Sequence, residues 1–537
     1  MNPPRDHALL AADLHIPESF NAASYFVDRN VAEGRGEKVA IECGATRVTY
    51  GEVLAGVNRV GNALRRVLGV RLEERVLLLL PDIPEFAYSF FGAIKIGAVP
   101  VPVNTLLRPP DYLHLLNDSR ARVAIVSEGL LPQILAIPRS ELPFLLEVVV
   151  VGEAPEGTRS FAALVRAEPP ELDAAPTGRD DAAFWLYSSG STGLPKGCVH
   201  LHHDMVICAE LYARGVLQIS EADRCFSVAK LFFAYGLGNG LYFPFAVGAT
   251  SILWPGPPTA ENVFATIEGH RPTLFFSVPT GYAMLLAQDR ESGPDFDLRS
   301  LRLAISAGEA LPATLFERFA QRFQVEILDG IGSTEVLHIF ISNRPGGARP
   351  GSSGQVVPGY EARLVDEEGR PVGPGAIGSL WIKGDSTCSH YWNQHEKTKE
   401  TLAGAWIRTG DEYVQDEDGF FWHAGRSDDM LKVGGIAVSP VEIESTLLAH
   451  PAVQEAGVVG CADEDGLVKP LAFVTLRLGV LGTRELAAEL QAFVRSRIAE
   501  YKRPRWVEFV AELPKTATGK TQRFKLRIRA ASTSGGL

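Results

Sequence analysis

Cysteine is scarce and scattered. The 537 residues hold six, at Cys43, Cys198, Cys208, Cys225, Cys388 and Cys461. No CxxC occurs among them, so neither a zinc ribbon nor a disulfide framework is encoded, and a reducing cytoplasm suits the chain. Long apolar runs are missing as well: a stretch such as residues 76–80 falls far short of the roughly 20 residues that cross a bilayer. The first twenty residues mix acids, prolines and histidines where a signal peptide needs an unbroken apolar core. No membrane partner is expected. Positive charge is in deficit, with 52 Lys and Arg against 64 Asp and Glu and a net charge of −12. That balance argues against nucleic acid as the main partner and requires any polyanionic ligand to meet local basic sites. Internal repeats and low-complexity tracts are absent. A Walker loop is absent too: the one GKT, at 519–521, has Pro514 where the first glycine of GxxxxGK[ST] belongs.

What is present is ordinary globular material, 46% hydrophobic and 22% charged, in a chain too long for one core, so two or more domains are expected. Thr49 and Glu52 have capping-box spacing, and Val53, Val57, Val60, Leu64, Val67 and Leu68 recur on one face, which predicts a helix. Strand-like 75–80, helix-like 84–96, strand-like 99–103, helix-like 111–119 and strand-like 123–126 follow. Further strands are predicted at 182–186, 251–254, 273–277, 301–306 and 325–328. The alternation predicts an α/β fold of helix-covered parallel sheets. From 354 to 383 it gives way to strands and tight Gly/Pro turns, a small β-rich subdomain spanning about 350–426, and a last α+β segment follows.

The stretch that organises the rest is 187–197, YSSGSTGLPKG. Gly190, Gly193 and Gly197 let the backbone bend so that several N–H groups face one anion, while Ser188, Ser189, Ser191 and Thr192 add hydroxyl donors and Lys196 adds charge. Such a loop suits a polyphosphate. A Ser/Gly-rich surface turn is the plain alternative.

The loop resembles the phosphate-binding signature of the adenylate-forming ligases: acyl-CoA synthetases, peptide-synthetase adenylation domains and luciferases. Further stretches resemble the same family in the expected order, from about residue 40 to 527. SAGE at 306–309 and DGIGSTE at 329–335 each follow a predicted strand, at the carboxyl end where open α/β sheets bind ligands. The resemblance implies that Ala307, Gly308, Glu309, Asp329, Gly330, Ile331, Gly332 and Ser333 hold adenine and the α-phosphate. It further implies that Thr334 touches that phosphate and that Glu335 is the Mg²⁺ ligand. RTGD at 408–411 resembles the ribose site through Asp411, and GRSDDMLK at 425–432 the hinge, with Arg426 near ribose and Asp428 as pivot. The implied division is a large domain 1–426 and a small mobile domain 427–537. KTATGK at 515–520 matches the catalytic-lysine loop. Lys520 would bridge the substrate carboxylate and phosphate oxygens, where a compact ammonium offsets repulsion that rises in the transition state. The Gly434 and Gly435 loop would face a CoA channel. ATP, Mg²⁺ and CoA are the implied cofactors; the oligomeric state, monomer or homodimer, is left open.

KLFFAYGLGN at 230–239 and LHIF at 337–340 lie where the family builds its acyl pocket, naming Phe233, Ala234, Tyr235, Gly236, His338 and Ile339. Both stretches are apolar and aromatic, which favours a flat, uncharged acid body with His338 supplying one polar contact. With PTGY at 279–282 they resemble the benzoate-CoA ligase group. Gly240, Tyr242, Ser277 and Val278 before PTGY, Gly434 and Ala437 depart from that pattern. The peptide-synthetase aspartate for an amino group is missing between Lys230 and Asn239. Rival expectations are an aliphatic or heteroaromatic acid ligase, a carrier-protein-loading ligase, and a non-catalytic nucleotide-binding relative. His200, His202 and His203 form a cluster without a carboxylate or cysteine spaced to complete a metal site, so packing or capping is expected of them.

Overall fold

The computed structural model describes residues 13–188, 195–288, 295–427, 429–433, 436–463, 467–515 and 521–533. Its largest sheet has nine strands. Thr250–Leu253, Leu274–Ser277 and Leu303–Ser306 are four-residue strands buried at every position. Buried on both faces, they read as unbroken apolar runs rather than alternating ones. With Val39–Cys43, Arg224–Ser227 and Ile327–Gly332 they pair in parallel, while Thr46–Thr49 at one end, and Ile339–Ser342 followed by Gln355–Val356 at the other, add antiparallel strands. A second, five-stranded sheet is wholly parallel and includes Arg75–Leu79, Val99–Pro102 and Val123–Ser127. The predicted helix-covered parallel sheets are therefore observed.

The predicted capping box is present: Thr49 Oγ1 accepts from the Glu52 amide, and the Glu52 carboxylate accepts from the Thr49 amide. Val53, Val57, Val60 and Leu64 are buried, but Val67 is 47% exposed. The helix Tyr50–Asn62 passes into a π turn at Ala63–Val67, and the wider turn rotates Val67 off the apolar face.

The phosphate-loop candidate joins the antiparallel strands Ala182–Ser188 and Lys196–Leu201, in register from Ser188 with Lys196. A third strand, His390–Tyr391, pairs with Lys196–Leu201 and sets Tyr391 opposite Cys198. Residues 361–426 carry an antiparallel five-stranded sheet, the β-rich element expected there. Beyond it, Val453–Ala462, Val468–Leu476 and Trp506–Phe509 form a three-stranded sheet with its own apolar core, including Ile443, Leu447, Leu490 and Val494. An ion pair between half-buried Arg523 and buried Glu444, Nη2 to Oε2 at 2.6 Å, crosses this smaller unit. Among the described residues no helix is long and apolar enough to cross a membrane.

Candidate active site

The site is organised by one strand and the turn that leaves it. Ile327–Gly332 pairs in parallel with Leu303–Ser306 through Asp329, and its last three residues pair antiparallel with Ile339–Ser342. DGIGSTE thus begins inside the strand rather than after it. The return strand passes so close that a Cβ on Gly332 would lie 2.6 Å from the His338 carbonyl oxygen, which explains the glycine. Between Gly332 and Ile339 the chain makes a tight turn through Leu337, fully buried with φ +70°, a conformation that costs a branched side chain about 1–3 kcal/mol. The turn is held from outside. His200 Nε2 donates to the Thr334 carbonyl at 2.8 Å, its Nδ1 lies 2.8 Å from Asp204 Oδ2, and the Leu337 amide donates to the same Thr334 carbonyl at 3.2 Å. Ser333 Oγ accepts from the Val336 amide at 3.2 Å.

One side of the turn is polar. Glu335 Oε1 accepts from Ser188 Oγ at 3.1 Å and from the Tyr391 hydroxyl at 2.8 Å, and the Glu335 carbonyl accepts from the Cys388 amide at 2.7 Å. Lys196 Nζ stands 4.4 Å from the centre of the Tyr391 ring. Burial pushes the neighbouring Cys198 thiol well above its ordinary pKa, so it stays protonated.

The other side is apolar and aromatic. His338 is buried, 4.4 Å from the Phe243 ring centre and 5.6 Å from that of Tyr235, with Tyr212 at 5.5 Å. Burial lowers its pKa to about 3 despite the hydrogen bond that Nε2 donates to the Tyr235 carbonyl, so the ring is neutral at working pH. Ile339 and Ala234 are buried beside it, while Phe233 and Tyr235 are half-buried. Gly236 fits because a Cβ there would meet the Lys230 carbonyl oxygen at 2.2 Å. The Tyr235 hydroxyl donates to the Ile305 carbonyl at 3.1 Å.

Asp329 lies at the sheet end between the two sides. Burial raises its carboxyl pKa to about 8, only partly opposed by the polar groups of Ser306 and the Leu311 and Gly330 backbone. Its Oδ1 has no hydrogen-bond partner among the described residues. The buried Tyr413 phenol, raised chiefly by desolvation, feels both Asp411 and Asp329. Asp411 in turn accepts from Arg426 Nη1 at 3.0 Å. Burial pushes the Asp411 pKa up, but His423 and Arg426 outweigh it and hold the carboxyl below its ordinary value. Ala307 and Gly330 are buried, Gly308 has φ +92°, and Ile331, Thr334 and Glu309 are half-buried at the same sheet end.

The structure therefore gathers Ser188, Lys196, Asp329 to Glu335, His338 and Ile339 around one turn and joins Asp411 to Arg426. Ser189, Gly190, Ser191, Thr192, Gly193, Asp428, Gly434, Gly435 and Lys520 lie outside the described residues. The three histidines are engaged by the protein itself: His202 Nδ1 accepts from the Ala22 amide, and His203 bridges the Arg179 and Asp385 carbonyls. Sequence reasoning missed Tyr391, Tyr413 and the anchoring role of His200. Tyr391 lies 56 residues from Glu335, and nothing in SHYWNQ marks it; only strand pairing brings the two together.

Comparison with known proteins bears on this arrangement. Residues 28–392 match the family model described as AMP-binding enzyme, and 442–520 match the AMP-binding enzyme C-terminal domain. The chain is 51% identical to benzoate–CoA ligase of Thauera aromatica over 97% of its own length and 98% of that protein. It is 46% identical to 4-hydroxybenzoate–CoA/benzoate–CoA ligase of Rhodopseudomonas palustris, covering 96% and 95%. The solved structure of the anthranilate CoA ligase AuaEII, in complex with anthranoyl-AMP, superposes with a TM-score of 0.92 at 49% identity, covering 98% of this chain and all of that one. By these matches along nearly its whole length, the chain belongs to the AMP-binding enzyme family.

Proposed function

We propose that this protein activates benzoate or a substituted benzoate with ATP, giving aryl-AMP and pyrophosphate, and then transfers the aryl group to CoA with release of AMP. The observation that carries the reading is the turn at 333–339. Three residues apart, it offers a carboxylate set among hydroxyls and a lysine, and a neutral imidazole set among aromatic rings. A triphosphate suits the first and a flat uncharged acid the second. The names of the full-length relatives, which act on benzoate and hydroxybenzoate, support the same substrate class.

Glu335 suits Mg²⁺, a hard cation that takes one or two carboxylates together with phosphate oxygens, and the protonated Cys198 offers it no soft competitor. When bound, the ion neutralises triphosphate charge. The loop at 187–197 would cradle the phosphates, Asp411 would accept from the ribose hydroxyls, and Asp329 Oδ1, buried and without a partner among the described residues, would offer the adenine amine an acceptor. Lys520 would offset the repulsion between carboxylate and α-phosphate. Rotation of residues 427–537 about Asp428 would then withdraw it and bring the Gly434 and Gly435 loop to the thiol.

A panel of benzoate, hydroxybenzoates, aminobenzoate and hexanoate, with pyrophosphate, AMP and thioester all measured, tests the reading. Thioester formation fastest with a benzoate is expected. Faster turnover of hexanoate would replace the substrate class, and no pyrophosphate with any acid would replace the enzyme. Lys520→Ala should cripple adenylation, by about 10²- to 10³-fold or more, yet still convert supplied aryl-AMP to thioester. Equal loss of both steps would contradict domain alternation.

A further inference from the structure

Tyr391 is buried and touches both charged groups on the polar side of the turn. Its hydroxyl donates to Glu335 Oε1 at 2.8 Å, and its ring face receives Lys196 Nζ at 4.4 Å. The segment leading into its strand also fixes the backbone of its partner, because Cys388, three residues earlier, donates its amide to the Glu335 carbonyl at 2.7 Å. Tyr391 is itself pinned. Its register against Cys198 holds the strand, its amide donates to Thr398 Oγ1 at 3.1 Å, and the next residue, Trp392, donates from its indole to the Asp118 carbonyl at 2.9 Å. A carboxylate with one oxygen held by two fixed donors turns its other oxygen in a set direction.

We infer that Tyr391 is a positioning residue for adenylation, orienting the Glu335 carboxylate toward the metal of Mg·ATP and setting the rest position of Lys196 beside it. The inference rests on the proposed role of Glu335, and the two are separable by experiment. Outer-shell hydrogen bonds of this kind are typically worth about 10- to 100-fold in metal affinity. Ser188 donates to the same oxygen, so it shares the load.

The test is titration of Mn²⁺, followed by its electron paramagnetic resonance signal, into the full-length enzyme with a non-hydrolysable α,β-methylene ATP. Wild type is compared with Tyr391→Phe, Ser188→Ala and Glu335→Gln. Tyr391→Phe keeps the ring under Lys196 and removes only the hydroxyl. It should weaken Mn²⁺ about tenfold or more, and its adenylation rate should recover as Mg²⁺ is raised. Glu335→Gln should weaken Mn²⁺ further, without recovery. Mn²⁺ affinity of Tyr391→Phe within about twofold of wild type, with Glu335→Gln impaired, overturns the role of Tyr391 alone. Weakening of Tyr391→Phe with no recovery in Mg²⁺ also overturns it, in favour of simple packing. Unchanged Mn²⁺ binding by Glu335→Gln removes the metal role of that carboxylate and the inference with it.

Discussion

Glu335 and His338 stand three residues apart in one turn, yet they occupy opposite chemical worlds. Glu335 is half-buried, accepts two hydroxyl hydrogen bonds and shares Tyr391 as a neighbour with Lys196. His338 is buried, ringed by Phe243, Tyr235 and Tyr212, and held neutral by desolvation. The separation is made by backbone geometry. Leu337 in the left-handed region reverses the chain, and the Thr334 carbonyl is held by His200 and by the Leu337 amide. Strain at that residue persists because the turn is over-determined from both sides. A few residues can thereby present a charged group to one substrate and a neutral wall to another without mixing the two environments.

The sharpest way to break the comparison is to remove the charge from one side. Glu335→Gln keeps the shape and should lower adenylation about 10²- to 10³-fold, read as pyrophosphate release. Its thioester formation from supplied aryl-AMP should suffer far less. Equal losses would mean that the two sides of the turn are not chemically separate. On the apolar side, His338→Ala opens space among the rings. The ratio of kcat/KM between a bulkier substituted benzoate and benzoate should rise about 10- to 100-fold, the scale of a single methylene in a fitted pocket, while the KM for ATP stays within about threefold. A change in ATP affinity as large as the change in acid preference would dissolve the distinction.

His200→Gln probes the brace behind both. It weakens the anchor of the Thr334 carbonyl and the contact with Asp204, so denaturant unfolding should show a loss of about 1–3 kcal/mol. Adenylation should fall about tenfold, as expected when positioning slackens. The ranking of acids should not move, because His200 bonds the Thr334 carbonyl, at the Glu335 end of the turn.

Motif and periodicity reached the parallel sheets and the capped helix at Tyr50–Asn62, because the pattern of each is written in residues close in sequence. They did not reach Tyr391, His200 or Tyr413, whose roles arise from pairings across 56 residues or more. Nor did periodicity foresee the π turn that exposes Val67, since an added backbone residue shifts a register without marking the side chains. The strand that continues through Gly332 was hidden for a related reason. Its antiparallel partner, Ile339–Ser342, begins inside the LHIF stretch at 337–340, where apolar residues suit a pocket wall and a buried strand alike.

The smallest effect concerns the residue between the two sides. Asp329 has a carboxyl pKa raised from 3.8 to about 8 by burial, so the folded protein keeps a proton there that the unfolded chain has lost. Between those values the native state binds more protons, and stability falls as pH rises through that window. The contribution is fully present below the unfolded value and gone above the folded one. His338 and His202, lowered by burial to about 3 and about 4, act with the opposite sign: the unfolded chain takes up their protons below 6.5, so their contribution is lost as pH falls. Asp329→Asn, which matches a neutral carboxyl in shape, should therefore leave Tm almost unchanged near the acid end and raise it by a few degrees at about pH 8, with the KM for ATP altered by less than about threefold. A Tm difference that stayed constant across that range would mean that Asp329 is ionised throughout. Charge would then reach the buried sheet end beside Tyr235 and Tyr282, and the boundary between the two sides would lie deeper than the turn itself.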